Sequence, residues 1–180
     1  MTLMSKVAND DHPSLQHALD ANAMYGFRGV PCRGKIALLN NWPVEAPGTP
    51  DGIRAMAERH PGCNFAVPMG SGRVAIDVDV KNGKPGLQSM ADLDMIYGLP
   101  PTYTQRTPSG GLHLVYETDE DFGNISSSVD YPGIDVKGER GYIMLAGSTI
   151  DGKAYTVEDD RPPAKLPKGV LAALAGGKRK

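Results

Sequence analysis

The residues whose types and spacing suit chemistry begin in Arg73-Val-Ala-Ile-Asp-Val-Asp-Val80. Side chains alternate across a strand, so Val74, Ile76, Val78 and Val80 share one face while Ala75, Asp77 and Asp79 share the other. Same-face neighbours lie roughly 6.5 to 7 Å apart, near enough for two carboxylates to grip one cation or a pair. Acidic residues are poor strand formers and like charges repel, so the arrangement costs stability unless a cation sits between them. A solvated acidic strand face gives the same pattern, and a lone Asp-x-Asp fits either.

Two further segments repeat the logic. In Leu112-His-Leu-Val-Tyr116 the larger apolar side chains Leu112, Leu114 and Tyr116 lie together, and His113 faces away from them. It follows Ser109-Gly110-Gly111, a turn whose backbone N–H groups are placed to converge on an anion, while imidazole can donate to phosphate oxygens. In Gly133-Ile-Asp-Val-Lys-Gly138, Ile134 and Val136 oppose Asp135 and Lys137. Singly, each reads equally well as a structural turn or a solvated edge strand. Together they put Asp/Asp, His and Asp/Lys on the reverse of three apolar strand faces. Provided those strands are neighbours in one sheet, the polar groups form one platform. Carboxylate oxygens suit magnesium or manganese. Two such ions activate a 3′-hydroxyl and stabilise a leaving pyrophosphate, with Lys137 and His113 offsetting triphosphate charge.

The elements that must carry these groups follow from periodicity and turn residues. Helices are expected at 14–25, with Ser14 capping and Gly26 ending it, at 50–59, at 87–97 and at 169–175. Strands are expected at 27–31, 65–68, 73–80, 103–107, 112–117, 134–137, 142–145 and 155–157. Residues 33–50, rich in Pro, Gly and Asn, read as an extended connection. Pro108 to Gly111 joins a hairpin-like pair, and 134–137 with 142–145 reads as a further pair. Helices and strands mixed without strict alternation predict an α+β fold.

Composition is compatible with many functions. The chain is 40% hydrophobic, enough for a core, and its 19 Lys and Arg against 21 Asp and Glu leave a formal charge of -2. That balance does not exclude a nucleic-acid partner, because backbone binding needs only a local basic patch. No apolar stretch approaches the roughly 18 residues of a membrane span, and Met1 to Pro13 has no apolar leader region. Cys32 and Cys63 have no Cys-x-x-Cys neighbours and read as free thiols of a reducing cytoplasm. His12, His17 and His60 lack evident partners, Trp42 reads as a packing anchor, and Gly176 to Lys180 reads as a disordered tail.

With these motifs in order, the sequence resembles the N-terminal primase–polymerase domain of the archaeo-eukaryotic primase superfamily, found in phage and plasmid replication proteins. Its Asp-x-Asp strand corresponds to Ile76-Asp77-Val78-Asp79, its Ser-x-His turn and strand to Thr107 through His113, and its later acidic strand to Gly133 through Gly138. The likeness extends to Gly34-Lys35, Trp42, Asp51, the stretch from Asn64 to Gly70, Gly141-Tyr142-Ile143, Ser148 and the stretch from Gly152 to Tyr155. It spans about Leu15 to Val157, with one departure: Leu145-Ala146-Gly147-Ser148 stands where relatives often carry Pro-Pro-Ser.

The resemblance implies one catalytic domain over 1–180, with an RNA-recognition-motif-like sheet, flanking helices and a small N-terminal α/β part. It implies Asp77, Asp79 and Asp135 as ligands of two Mg²⁺ or Mn²⁺ ions. His113 would contact the triphosphate, with Ser109, Gly110 and Gly111 nearby, and Lys137 would be a further phosphate contact. The implied activity is DNA primase or DNA polymerase in phage, plasmid or prophage replication, in the cytoplasm of a bacterial or archaeal host. Its partners would be nucleoside triphosphates, a single-stranded DNA template with primer, and a helicase domain or protein; ending at Lys180, the chain is expected to be an excised domain or a stand-alone protein. Two other readings stay open: a metal-dependent phosphoesterase or nuclease, and a replication module that binds nucleotide or DNA without turnover.

Overall fold

A computed structural model describes residues 12–176. Most of the leader stretch and the tail residues 177–180 lie outside the described residues. The elements are α1 (Pro13–Tyr25), β1 (Val30–Arg33), β2 (Ile36–Ala37), α2 (Trp42–Glu45), α3 (Pro50–Arg59), β3 (Asn64–Pro68) and β4 (Arg73–Val78). A single 3₁₀ turn (Lys81–Gly83) leads to α4 (Gly86–Tyr97), β5 (Thr104–Arg106), β6 (Leu112–Glu117), β7 (Ile134–Lys137) and β8 (Tyr142–Met144). The chain closes with β9 (Thr149–Ile150), β10 (Lys153–Ala154), β11 (Thr156–Asp159), β12 (Ala164–Lys165) and α5 (Val170–Leu174). This is a mixed α and β fold with mostly antiparallel sheets and few helices, as the α+β expectation requires.

The chain divides into two compact units, one of residues 1–68 and 142–156, the other of residues 69–141 and 157–180. In the first, four strands lie in the order β2-β1-β3-β8, and β9 and β10 form a separate two-stranded sheet. Val30, Cys32, Ala66, Met144 and Tyr155 are buried together there. Its helices have recognisable ends. Ser14 does not cap α1 as expected: Pro13 opens the helix after His12, Ser14 Oγ accepts from the Phe65 N–H at 2.8 Å instead, and Gly26, in the left-handed region at φ 67°, closes it. Thr49 caps α3 by accepting from the Gly52 N–H at 3.1 Å.

The second unit holds a six-stranded sheet in the order β11-β5-β6-β4-β7, with β12 parallel to β6. One face is apolar. Val74, Ile76 and Val78 of β4 pack with Tyr116, Ile134 and Val136, and α4 covers them through Leu93. Leu166, Val170, Leu171 and Leu174 extend this core. At roughly 25 cal/mol per Å² of apolar surface buried, this face holds the strands in register and leaves the other free for polar groups.

Further expectations need correction. Ile134–Lys137 does not pair with the strand after it: β7 pairs with β4, and β8 pairs with β3. The turn between them closes with the Gly141 N–H on the Gly138 carbonyl at 2.9 Å. Alternation shows which face a residue occupies but not which strand lies beside it. The stretch 33–50 is not simply extended, since it forms β2 and α2. The first strand starts later than expected, at Val30, because the Asn22 side chain donates to the Phe27 carbonyl at 2.8 Å and holds that segment out of the ladder.

Candidate active site

Register brings the three motif strands side by side. On β4, Asp77 stands opposite His113 of β6 on one side and opposite Asp135 of β7 on the other. Directly opposed Cα atoms in antiparallel pairs are about 4.5 to 5.5 Å apart. Gln105 of β5 lies opposite His113, so Gln105, His113, Asp77 and Asp135 form one row on the face away from the apolar core. Asp79 follows one residue beyond the end of β4, where its N–H donates to the Gly133 carbonyl at 2.8 Å. Gly86 lets the chain pass there, because a Cβ at that position would sit 2.4 Å from the Asp79 carbonyl oxygen.

The row is charged and only partly open. His113 Nε2 lies 3.5 Å from Asp77 Oδ1, with side-chain exposures of 8% and 24%. Asp135 accepts from the Ser127 N–H at 2.7 Å through Oδ1, and its Oδ2 is 4.0 Å from Lys137 Nζ. Asp79 accepts from Lys84 Nζ at 2.7 Å and from the Lys81 N–H at 2.9 Å. Partial burial pulls the Asp79 carboxyl upward, but the hydrogen bonds from Lys84 and the Lys81 backbone, with both lysine charges, hold it below the usual carboxylate range. Lys84 is raised by its hydrogen bond to Asp79 and by the Asp79 charge, and the charges of Asp135 and Asp77 raise it further.

Among the described residues, no three His, Cys, Asp or Glu side chains are drawn together tightly enough to hold a metal ion. The three motif carboxylates are instead turned toward protein partners. The donor set nonetheless fits a hard divalent cation: Asp77 and Asp135 are opposed across neighbouring strands, Asp79 lies just past the end of β4 and not on its face as alternation predicts, and one ammonium feels all three charges. Sequence reasoning passed over Lys84, although the run Lys81-Asn82-Gly83-Lys84 directly after Val80 offered two cations in a turn beside the acidic pair. It also passed over Gln105.

The glycine turn is built differently from expectation. The Gly110 N–H donates to the Thr107 carbonyl and the Thr107 N–H to the Gly111 carbonyl, both at 2.9 Å, so the Gly110 donor serves the turn itself. Ser109 Oγ is 3.2 Å from Thr107 Oγ1. Gly111 is required by close approach, since a Cβ would lie 2.2 Å from the Val78 carbonyl oxygen at the end of β4. Arg106 braces the turn, donating to the Gly110 carbonyl at 3.2 Å and pairing through two nitrogens with Glu158. In the first unit, Trp42 packs edge-on against Tyr142 with ring centroids 5.1 Å apart, and the Lys35 carbonyl accepts from the Tyr142 hydroxyl at 2.7 Å. Trp42 is a packing anchor, as expected.

Residues 18–169 match the family of bifunctional DNA primase/polymerase N-terminal domains. The chain belongs to this family. No curated protein matches it. The match to the primase–polymerase family runs unbroken through β4, β5, β6 and β7, so every strand that carries a motif residue lies inside it. Membership places the chain among primase- and polymerase-type replication domains. Among the described residues, no helix is long and apolar enough to cross a membrane.

Proposed function

We propose that the chain carries out template-directed nucleotidyl transfer, as a DNA primase, a DNA polymerase or both, with two divalent cations at Asp77, Asp79 and Asp135. The observation that carries this reading is the register: Asp77 stands between His113 and Asp135 on one sheet face. Strand order supports it too. The order β5-β6-β4-β7 sets the Asp77 strand between the strands that carry His113 and Asp135.

When bound, magnesium or manganese would lower the barrier to deprotonating a primer 3′-hydroxyl and offset charge on the leaving pyrophosphate. The chain's own residues have separate tasks. The three carboxylates present hard oxygen donors from one surface. His113 offers its Nε2 N–H to a phosphate oxygen of the incoming nucleotide, and Lys137 adds positive charge beside Asp135. Ser109 and the Gly110-Gly111 backbone shape the turn next to the phosphates. The partners in this reading are nucleoside triphosphates, a primed single-stranded DNA template and a helicase. The setting is phage, plasmid or prophage replication in a bacterial or archaeal cytoplasm.

Primer extension with magnesium or manganese tests the reading. The parent should add nucleotides to a labelled primer, and Asp77→Ala should reduce addition to background. Equal extension by both proteins would remove the carboxylate assignment. Shortening of the labelled strand in place of growth would point to hydrolysis.

A further inference from the structure

The polar row continues past His113 into the protein. Gln105 is fully buried, at 0% exposure, although it lies on the polar face of the sheet. Its Nε2 is 3.1 Å from His113 Nδ1, and its Oε1 accepts from the Tyr103 hydroxyl at 3.2 Å. Tyr103 is itself only 3% exposed. On the far side of the ring, His113 Nε2 faces Asp77 Oδ1 at 3.5 Å.

Donor and acceptor roles along this chain of contacts are mutually determined. A carboxylate only accepts, so the hydrogen of a neutral His113 ring belongs on Nε2, facing Asp77. Nδ1 is then a bare lone pair and needs a donor. A glutamine amide offers NH₂ on one side and oxygen on the other, and nothing local to the amide selects its orientation. With Nδ1 accepting, the amide presents its NH₂ to the ring, and Oε1 is left to accept from the Tyr103 hydroxyl. Tyr103 thus donates to Gln105 and Gln105 to His113, whose Nε2–H faces Asp77. A buried amide is costly when its polar atoms lack partners, and here both ends are satisfied.

We propose that Gln105, hydrogen-bonded in turn to Tyr103, is a positioning residue that holds His113 in the Nε2–H tautomer with that N–H directed toward the Asp77 row. The benefit to phosphate binding rests on the nucleotidyl-transfer reading; the tautomer does not. A ring with the opposite tautomer would present a lone pair, instead of a donor, to both Asp77 and a phosphate oxygen, and both contacts would turn repulsive.

Long-range ¹H–¹⁵N correlation spectra of histidine-labelled, metal-free full chain at about pH 8, above the ordinary histidine pKa, read the tautomer directly. The chain has 4 histidines, and the His113 signals are those lost in His113→Asn. The parent should show Nε2–H with a bare Nδ1. Gln105→Glu should move hydrogen onto Nδ1, because a carboxylate there can only accept. Gln105→Met, close in size and without a donor, should give a mixture, and it covers the case in which the buried charge of Gln105→Glu prevents folding. A parent ring protonated on Nδ1, or an unchanged Nε2–H tautomer in a folded Gln105 variant, would overturn the proposal. A residue that only fills space would leave the tautomer alone. If the parent extends no primer, the functional reading falls while the tautomer result still stands by itself.

Discussion

Lys84 Nζ sits 2.7 Å from Asp79 Oδ2 and feels the charges of Asp77 and Asp135 as well. It thereby serves as the counter-ion of a crowded acidic face. Removing it as Lys84→Met should tighten Mn²⁺ binding several-fold, read by titration calorimetry, because the ammonium no longer competes for the carboxylates. Weaker binding in that variant would show that Lys84 supports the ion instead. The same pair gives a pH dependence. The Asp79 carboxyl is held below its ordinary value, so the associated stability is present above an unfolded pKa of about 3.9 and is lost as pH falls through the lower folded value. Urea unfolding of parent and Lys84→Met should therefore differ near pH 6 and converge only as pH falls below the ordinary aspartate pKa of about 3.9. A gap that persists at the acid end would assign the difference to something other than this pair.

At the scale of elements, β4 works because its two faces do different things. Leu93 of α4 is fully buried against the apolar face, and Asp77 points from the other. Leu93→Ala should lower stability by about 2 to 5 kcal/mol in urea unfolding. Primer extension per folded molecule should stay near that of the parent, since no polar-face group is touched. The β5–β6 turn is less tolerant. A Cβ on Gly111 would lie 2.2 Å from a backbone oxygen of Val78, which no side-chain rotation relieves. Gly111→Ala should cost about 1 to 3 kcal/mol, the usual range for forced overpacking. It should also reduce extension in the folded fraction, because the turn moves off the end of the strand that carries Asp77. Full stability and full activity in Gly111→Ala would contradict that close approach.

For the molecule as a whole, the division into two units means that the motif residues all belong to one of them. Lys35, Trp42 and both cysteines belong to the other. Cys32 and Cys63 are buried free thiols. Burial pushes Cys32 up to about 12, with the neighbouring Cys63 adding to the rise, and pushes Cys63 itself up to about 11. At neutral pH both are protonated and poor nucleophiles. A thiol reagent should modify the native protein only as fast as the first unit opens, and the denatured protein at once. Rapid labelling without denaturant would contradict that burial. The net charge of -2 is likewise a poor guide to the site, where Lys84, Lys137 and His113 stand among three acids.

What the sequence determined by itself was local. Alternation in Arg73 to Val78, in Leu112 to Tyr116 and in Ile134 to Lys137 assigned each side chain to a face, because a strand repeats every two residues whatever lies beside it; Asp79 and Val80, expected to continue the strand, fall past its end. Motif order then sufficed for the family, and Pro108 to Gly111 marked the hairpin turn. Tertiary structure decided which strands are neighbours. β7 lies against β4 and not against β8, since sheet pairing depends on a packed apolar face assembled from distant segments. It also engaged the Gly110 N–H within its own turn, turned Lys84 onto Asp79 and buried Gln105 between Tyr103 and His113. Those contacts depend on side-chain rotamers in a folded environment, and the spacing of residues along a chain carries no record of them.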